Sequence, residues 1–224
     1  MQEAIALATG HLDLALMVYT LILFPGVFLH ELSHWLMATL LRVRAHRFSV
    51  WPKRQRDGTL VLGYVEMERV DPVREALVGA APLVVGSGVV VLIGVLVFNA
   101  GALGAAVAAG SVRDVVAALE QATQAADRWL WLYLMFAVSN AMLPSASDRQ
   151  AWPLLALFII LVGGIVYLLG LGPDLAVRLA TPLDYALQLL AAAFSITILI
   201  DAPLVIILWI LRGLAGVVTG RRLE

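Results

Sequence analysis

The chain has 224 residues, of which 62% are hydrophobic and only 14% are charged, and its mean hydropathy is +0.93. This composition lies outside the range of soluble globular domains and predicts an integral membrane protein. The formal net charge of −1 argues against an electrostatic nucleic-acid partner, and the lack of cysteine restricts any transition-metal site to His, Asp and Glu ligands.

Five apolar segments are candidates for helices that cross a bilayer, which requires about 20 residues each. The N-terminal stretch has no basic segment and no clear cleavage site, so we expect the first helix to remain in the mature protein. We predict an all-α polytopic membrane protein with about five transmembrane helices, which form a single membrane domain over residues 1–224. The predicted helices are residues 13–41, 73–98, 129–147, 153–171 and 184–211.

Two connections between these helices have patterns of their own. After the first helix, β-rich runs at residues 47–51 and 59–67 flank the turn signal Asp57-Gly58 and predict a small β hairpin or sheet at the membrane surface. The connection of residues 99–128 begins with a Gly/Ala-rich run. It continues with periodic Val, Ala and Leu, which predicts an amphipathic or interfacial helix.

The basic residues predict the orientation of the chain. With five spans, 12 of the 15 Lys and Arg lie on the side that holds the β-rich connection. Cytosolic loops carry the excess of Lys and Arg, so we expect the N-terminus outside, and the C-terminus and the β-rich connection on the cytosolic side of a prokaryotic cell membrane. The 12 residues are Arg42, Arg44, Arg47, Lys53, Arg54, Arg56, Arg69, Arg74, Arg149, Arg212, Arg221 and Arg222.

The first predicted helix contains the motif HELSH, with His30, Glu31 and His34. Residues four apart lie on one face of a helix, so both imidazoles can reach a single ion while Glu31 projects beside them. Zinc suits this arrangement, because it can activate a water molecule and leave the glutamate to accept the proton. Just ahead of the motif, Pro25-Gly26 predicts a bend.

The position of HELSH in an apolar segment strengthens this interpretation. A charged side chain at the centre of a spanning helix costs about 2.5 kcal/mol or more, so such residues persist where a cavity, a partner or a metal compensates. The alternatives are a packed polar cluster and a metal site that has lost its catalysis. His34 precedes Arg42 by about 12 Å of helix, at 1.5 Å per residue, which predicts a site inside the membrane toward the cytosolic leaflet.

A catalytic zinc site with two histidines needs a third protein ligand. Asp148 is the first candidate, because the orientation predicted above places it in the same leaflet as His34; the alternative is a helix cap or loop carboxylate. Asp201, in the apolar stretch TILIDAPLV, is the second candidate. In the alternatives, Asp201 forms a hydrogen bond to a neighbouring helix, lines the cavity or accepts the proton of a ligand histidine.

These residues resemble the site-2 protease family of intramembrane zinc metalloproteases over about residues 20–150. The stretch FLHELSHWLMA is the most specific part of the match, and GAAPL, with Gly79 and Pro82, resembles the small-residue and proline element that the family has near its site. The resemblance implies that His30 and His34 bind one zinc ion and that Glu31 is the catalytic base.

The stretch NAMLPSASD resembles the Asn, Pro and Asp motif of the same family. The resemblance implies that Asp148 is the third zinc ligand and that Asn140 and Pro144 contribute to substrate binding. The family motif usually reads N-x-x-P, followed by D-G. Here Pro144 is four residues after Asn140, and Arg149 replaces the glycine, whereas the eight-residue separation of Asn140 and Asp148 is that of the family.

We therefore predict a zinc-dependent intramembrane endopeptidase that cleaves the transmembrane segment of another membrane protein. An edge strand from residues 59–67 or 47–51 would capture the unwound substrate by strand addition; the alternative is a purely structural hairpin. A catalytically idle or structural subunit of a larger membrane complex is the alternative function. Expected partners are the substrate, the lipid bilayer, and a second copy or a larger complex. The additional C-terminal helices, residues 153–224, lie outside the resemblance.

A third hypothesis is that the protein is a membrane-bound zinc protease with a cytosolic catalytic domain. Two features weigh against it: HELSH lies in an apolar span, and no soluble segment is large enough to form such a domain.

Overall fold

The computed structural model describes residues 12–51, 53–54, 60–61 and 63–219. These residues form seven helices and four short strands. The helices are α1 (Leu12–Leu40), α2 (Pro72–Leu96), α3 (Ala100–Ala108), α4 (Val112–Thr123), α5 (Arg128–Ala141), α6 (Trp152–Leu168) and α7 (Gly172–Thr219). The strands are β1 (Ala45–Ser49), β2 (Lys53–Arg54), β3 (Leu60–Val61) and β4 (Tyr64–Met67).

Three helical segments of the described chain are long and apolar enough to cross a membrane: Met17–Leu40, Pro72–Leu96 and Gly172–Ile207. They agree with an integral membrane protein. The other two predicted spans are shorter helices than expected, because α5 has 14 residues and α6 has 17. The count of five spans therefore stays a prediction.

Local sequence explains where several helices begin and end. The Asp71 side chain accepts a hydrogen bond from the Arg74 amide at the start of α2, where Pro72 occupies the first turn. Pro144 disfavours helical geometry at Leu143, so α5 ends at Ala141 rather than continuing to residue 147 as the apolar pattern predicted.

The strands form two antiparallel pairs, with β1 beside β4 and β2 beside β3. The predicted small sheet after the first helix is thus confirmed, while the predicted turn at Asp57-Gly58 lies outside the described residues. In the connection of residues 99–128, the structure has two helices, α3 and α4, where the sequence pattern predicted a Gly/Ala-rich run followed by one helix.

Helices α1, α2 and α5 pack against one another, and α7 packs against α2 and α5. Glycines allow the closest approaches. A side chain at Gly26 of α1 would collide with the Ala137 carbonyl of α5, and one at Gly86 of α2 would collide with Met142. Helix α1 continues through Pro25, so the observed role of the neighbouring glycine is close packing on α5.

The neighbouring positions Gly86 and Gly88 offer a matched test of this packing. We expect Gly86→Ala to destabilise the protein by about 1–3 kcal/mol, because the added methyl group overlaps Met142 in the hydrophobic core between the helices. Gly88 has open space around it, so Gly88→Ala should leave stability unchanged or slightly raised. Thermal unfolding in detergent measures both, and equal midpoints for the two variants would contradict the packing role of Gly86.

Candidate metal centre

His30 and His34 lie one turn apart on α1, and their rings meet edge to face with centroids 4.7 Å apart. Their Nε2 atoms are 3.1 Å apart. The side chain of His34 is buried and that of His30 is nearly so. The HELSH spacing therefore brings two nitrogen atoms to one point in the protein interior, as the sequence pattern predicted.

The other nitrogen of each ring identifies the tautomer. His30 Nδ1 lies 2.6 Å from the Ala141 carbonyl oxygen, and His34 Nδ1 lies 2.9 Å from that of Val78. A carbonyl can only accept, so both Nδ1 atoms carry the proton and donate it. In the neutral rings both Nε2 atoms then present lone pairs to each other, an arrangement that a cation between them stabilises.

The two carbonyls are available because of two prolines. Val78 lies inside α2, where its carbonyl would normally accept from the amide four residues later, but that residue is Pro82, which has no N–H. Ala141 is the last residue of α5, and four residues later Ser145 donates its N–H to Asp148 Oδ2 instead (2.7 Å). Pro82 and the helix end before Pro144 thus leave one acceptor for each histidine.

Asp148 completes a group of three potential ligands. Its Oδ1 lies 3.3 Å from His34 Nε2, and its Oδ2 lies 3.6 Å from His30 Nε2. One ligand atom from each of the three residues lies within 4.8 Å of the others, so the group could hold a metal ion. Tetrahedral zinc, with bonds of about 2.0–2.2 Å, separates its ligand atoms by about 3.3 Å, which the observed spacings approach.

The turn after α5 fixes the Asp148 carboxylate. The Ser145 amide donates to Asp148 Oδ2, the Asp148 amide donates to Ser145 Oγ (3.3 Å), and Arg149 Nε donates to the Ser145 carbonyl (3.3 Å). Burial alone would raise the pKa of Asp148, but the neighbouring His30 and His34 rings and the hydrogen bond from the Ser145 amide outweigh burial and hold the pKa well below its usual range. Asp148 is therefore an anion at neutral pH.

Gly79 allows this turn to approach α2. A side chain at Gly79 would overlap the backbone carbonyl of Asp148, so only glycine permits the observed contact. Pro82, in the next turn of α2, is fully buried and acts through the Val78 carbonyl. The structure therefore places both residues of the GAAPL stretch where they support the histidine and aspartate positions.

Glu31 lies beside the histidines and is only 6% exposed. The backbone of Gly63, just ahead of β4, covers it: a methyl group on Gly63 would come within 2.8 Å of Glu31 Oε1. Both residues line a cavity of about 610 Å³ that also reaches the three ligand candidates and Asn140. Glu31 and the three ligand candidates therefore face one common cavity.

Of the remaining predicted residues, only one lines the cavity. Asn140 lies at the cavity wall, whereas Pro144 lies in the turn that follows α5 and is not part of that wall. Asp201 does not join the ligand group, because its carboxylate accepts hydrogen bonds from Asn140 Nδ2 at 3.0 and 3.2 Å.

Sequence reasoning missed two residues that shape the site. Ser145 orients Asp148, and its signal was the Ser-x-x-Asp spacing that is typical of reciprocal backbone bonds in turns. Gly63 covers Glu31, and its signal was an isolated glycine inside a strand-like run, which often marks a close backbone approach.

Comparison of the chain with protein-family models, with curated proteins and with solved structures found no match. Roles can therefore be assigned to these residues only from their geometry and from the sequence motifs.

Replacing Pro82 with alanine tests the carbonyl arrangement. The new amide of Pro82→Ala would compete with His34 for the Val78 carbonyl, so we expect zinc affinity to fall by roughly tenfold while the helix stays intact. Pro182→Ala is the matched control, since Pro182 lies inside α7 away from the site. Zinc titration of the purified protein measures both, and an affinity equal to that of the wild type would contradict the role of Pro82.

Proposed function

We propose that the protein is a zinc-dependent intramembrane endopeptidase, similar to the site-2 protease family, that hydrolyses a transmembrane segment of another membrane protein. One observation carries the proposal: His30, His34 and Asp148 converge beside the buried Glu31, at a cavity bordered by a helix apolar enough to span a membrane. Polar groups of this kind inside a spanning helix are typical of functional sites.

Each of the four residues has a defined task in this proposal. His30, His34 and Asp148 would hold the zinc ion, which when bound supplies a Lewis acid that polarises the scissile carbonyl and lowers the pKa of a water molecule. A Glu31 carboxylate oxygen accepts the proton of the attacking water and delivers it to the nitrogen of the leaving amine. The backbone of Gly63 shields Glu31 from bulk water.

The cavity also accounts for how a substrate would be held. Glu68 N–H donates to the Arg44 carbonyl on the β1 side, at 3.1 Å. Successive residues of a strand direct their N–H groups to opposite sides, so those of Val65 and Met67 point away from β1. Both residues line the cavity. On that side β4 has no partner strand among the described residues, so this edge, within residues 59–67, is the one we propose for strand addition by an unwound substrate.

The setting of the site in a membrane belongs to the same proposal. The membrane in this proposal is a cell membrane, and the basic residues favour an orientation with the β strands and the metal site toward its cytosolic side. Cleavage at that depth would release the cytosolic part of the substrate from its membrane anchor.

The first test separates metal binding from catalysis. We expect Glu31→Gln to retain zinc and to lose at least about 10²-fold in cleavage, because the proton acceptor is removed but the ligands remain. Asp148→Ala should lose both zinc and cleavage. Zinc content of purified protein and cleavage of a panel of transmembrane substrates in liposomes provide the two measurements.

Glu120→Gln is the control for these variants, since Glu120 is an exposed residue of α4. Cleavage that persists in Glu31→Gln would refute the catalytic assignment. A wild type that binds zinc, cleaves no substrate of the panel and purifies within a fixed complex would instead favour the structural-subunit alternative.

A proline at Val65 tests the strand edge. Val65→Pro removes the backbone donor that faces the cavity and leaves the N–H groups that face β1. We expect the rate of cleavage to fall roughly fivefold, which is the change expected for the loss of one hydrogen bond. Zinc content should not change. Val65→Ala, which shortens the side chain but keeps the N–H, is the control. Equal cleavage by Val65→Pro and Val65→Ala would eliminate strand addition at β4.

A further inference from the structure

Asp201 lies in the spanning segment of α7, and its carboxylate faces α5. Asn140 Nδ2 donates to both carboxylate oxygens, at 3.0 and 3.2 Å, across 61 residues of sequence. None of the described Lys, Arg or His residues forms an ion pair with Asp201. A carboxylate in an apolar helix requires a polar partner, and the Asn140 amide is that partner.

The orientation of the Asn140 amide follows from its neighbours. Nδ2 also donates to the Phe136 carbonyl, at 2.9 Å. The carbonyl and the carboxylate are both acceptors, so the nitrogen of the amide must face them and the oxygen must point elsewhere. Asn140 lines the cavity while Asp201 does not. The amide oxygen therefore lies on the side away from α7, where it accepts no hydrogen bond from a described residue.

An extended peptide in the cavity would need acceptors of this kind. Unwinding a helix exposes one N–H and one carbonyl per residue, and in an apolar environment each must find a partner. The edge of β4 can satisfy the groups on one side of the peptide. Asn140 lines the same cavity from α5, a different element from β4, which makes its amide oxygen an acceptor for an N–H that β4 does not reach.

We propose that Asp201 is a positioning residue, which holds the Asn140 amide so that its oxygen accepts a backbone N–H of an extended peptide in the cavity. The inference rests on the proposed function. In it, α7, which lies outside the sequence resemblance, contributes to substrate binding through Asp201. Without Asp201, the Phe136 carbonyl alone would hold the amide, and the amide could turn its nitrogen toward the peptide N–H.

Peptide binding without turnover tests the inference. The parent protein carries Glu31→Gln and zinc, and the probes are fluorescent apolar peptides of about 20 residues with an Asn-Gly pair at different depths. We expect Asp201→Leu to raise the dissociation constant roughly fivefold, the value of one hydrogen bond. Asp201→Asn, which keeps an acceptor oxygen for Asn140, should bind peptide nearly as well as the parent. Zinc content should stay constant.

Asp184 provides the matched control. It lies on the same helix and accepts a similar bond, from Gln188 Nε2 at 2.8 Å, but both residues are exposed and outside the cavity wall. Asp184→Leu should bind peptide like the parent. In a background with Asn140→Ala, Asp201→Leu should cause no further loss, because the residue acts through Asn140.

The swapped variant Asn140→Asp with Asp201→Asn keeps the proposal testable if Asp201→Leu does not fold. It restores the hydrogen bond and leaves an acceptor oxygen at position 140, so binding should recover relative to Asn140→Asp alone. Three results would overturn this inference and leave the proposed function standing. Asp201→Leu could bind peptide as well as the parent, or it could weaken binding equally with and without Asn140→Ala. The swapped variant could also bind as weakly as Asn140→Asp alone. A parent that binds no peptide of the panel overturns the proposed function as well.

Discussion

The arrangement of the site depends on where two imidazole N–H groups donate their protons. His30 donates to the last carbonyl of α5 and His34 to a carbonyl inside α2, so one helix face is tied to two other helices at once. These bonds fix both rings, and only then do the two Nε2 atoms meet at 3.1 Å. A helix supplies such acceptors only where its own ladder is interrupted, and here Pro82 and the end of α5 interrupt it.

Small residues allow the backbones to come close enough for these bonds to form. Gly26 brings α1 against α5, and Gly79 admits the Asp148 backbone onto α2. Larger side chains would separate the same elements by more than a hydrogen bond can span. Within a bilayer, apolar side chains gain little by leaving lipid, so close packing and hydrogen bonds carry the association of helices. The glycines therefore contribute to the candidate metal site as much as the three potential ligands do.

The sequence predicted the grouping of His30, His34 and Asp148 better than the lengths of the helices. Spacing alone indicates that His30 and His34 share a helix face, and the residue types restrict the third ligand to a few carboxylates. The apolar pattern of a segment, by contrast, does not indicate the residue at which a helix ends. Pro144 shortens the third predicted span by six residues. Helix α7 begins at Gly172, well ahead of the predicted residue 184, because the stretch of polar and apolar residues that contains Pro182 is also helical. Contacts such as that of Gly63 with Glu31 join distant segments, so only the fold reveals them.

Helix α7 illustrates how a polar group sets the rotation of an apolar helix. In its most apolar stretch only 6% of the residues are buried by protein, whereas the share in α2 is 50%, so few side chains of α7 set how it faces the bundle. Rotation of a uniformly apolar helix about its own axis changes its contact with lipid very little. The Asp201 carboxylate removes this freedom, because one face alone can reach the Asn140 amide. Ile196, more than one turn earlier, meets Gly94 of α2 and fixes the same rotation by shape.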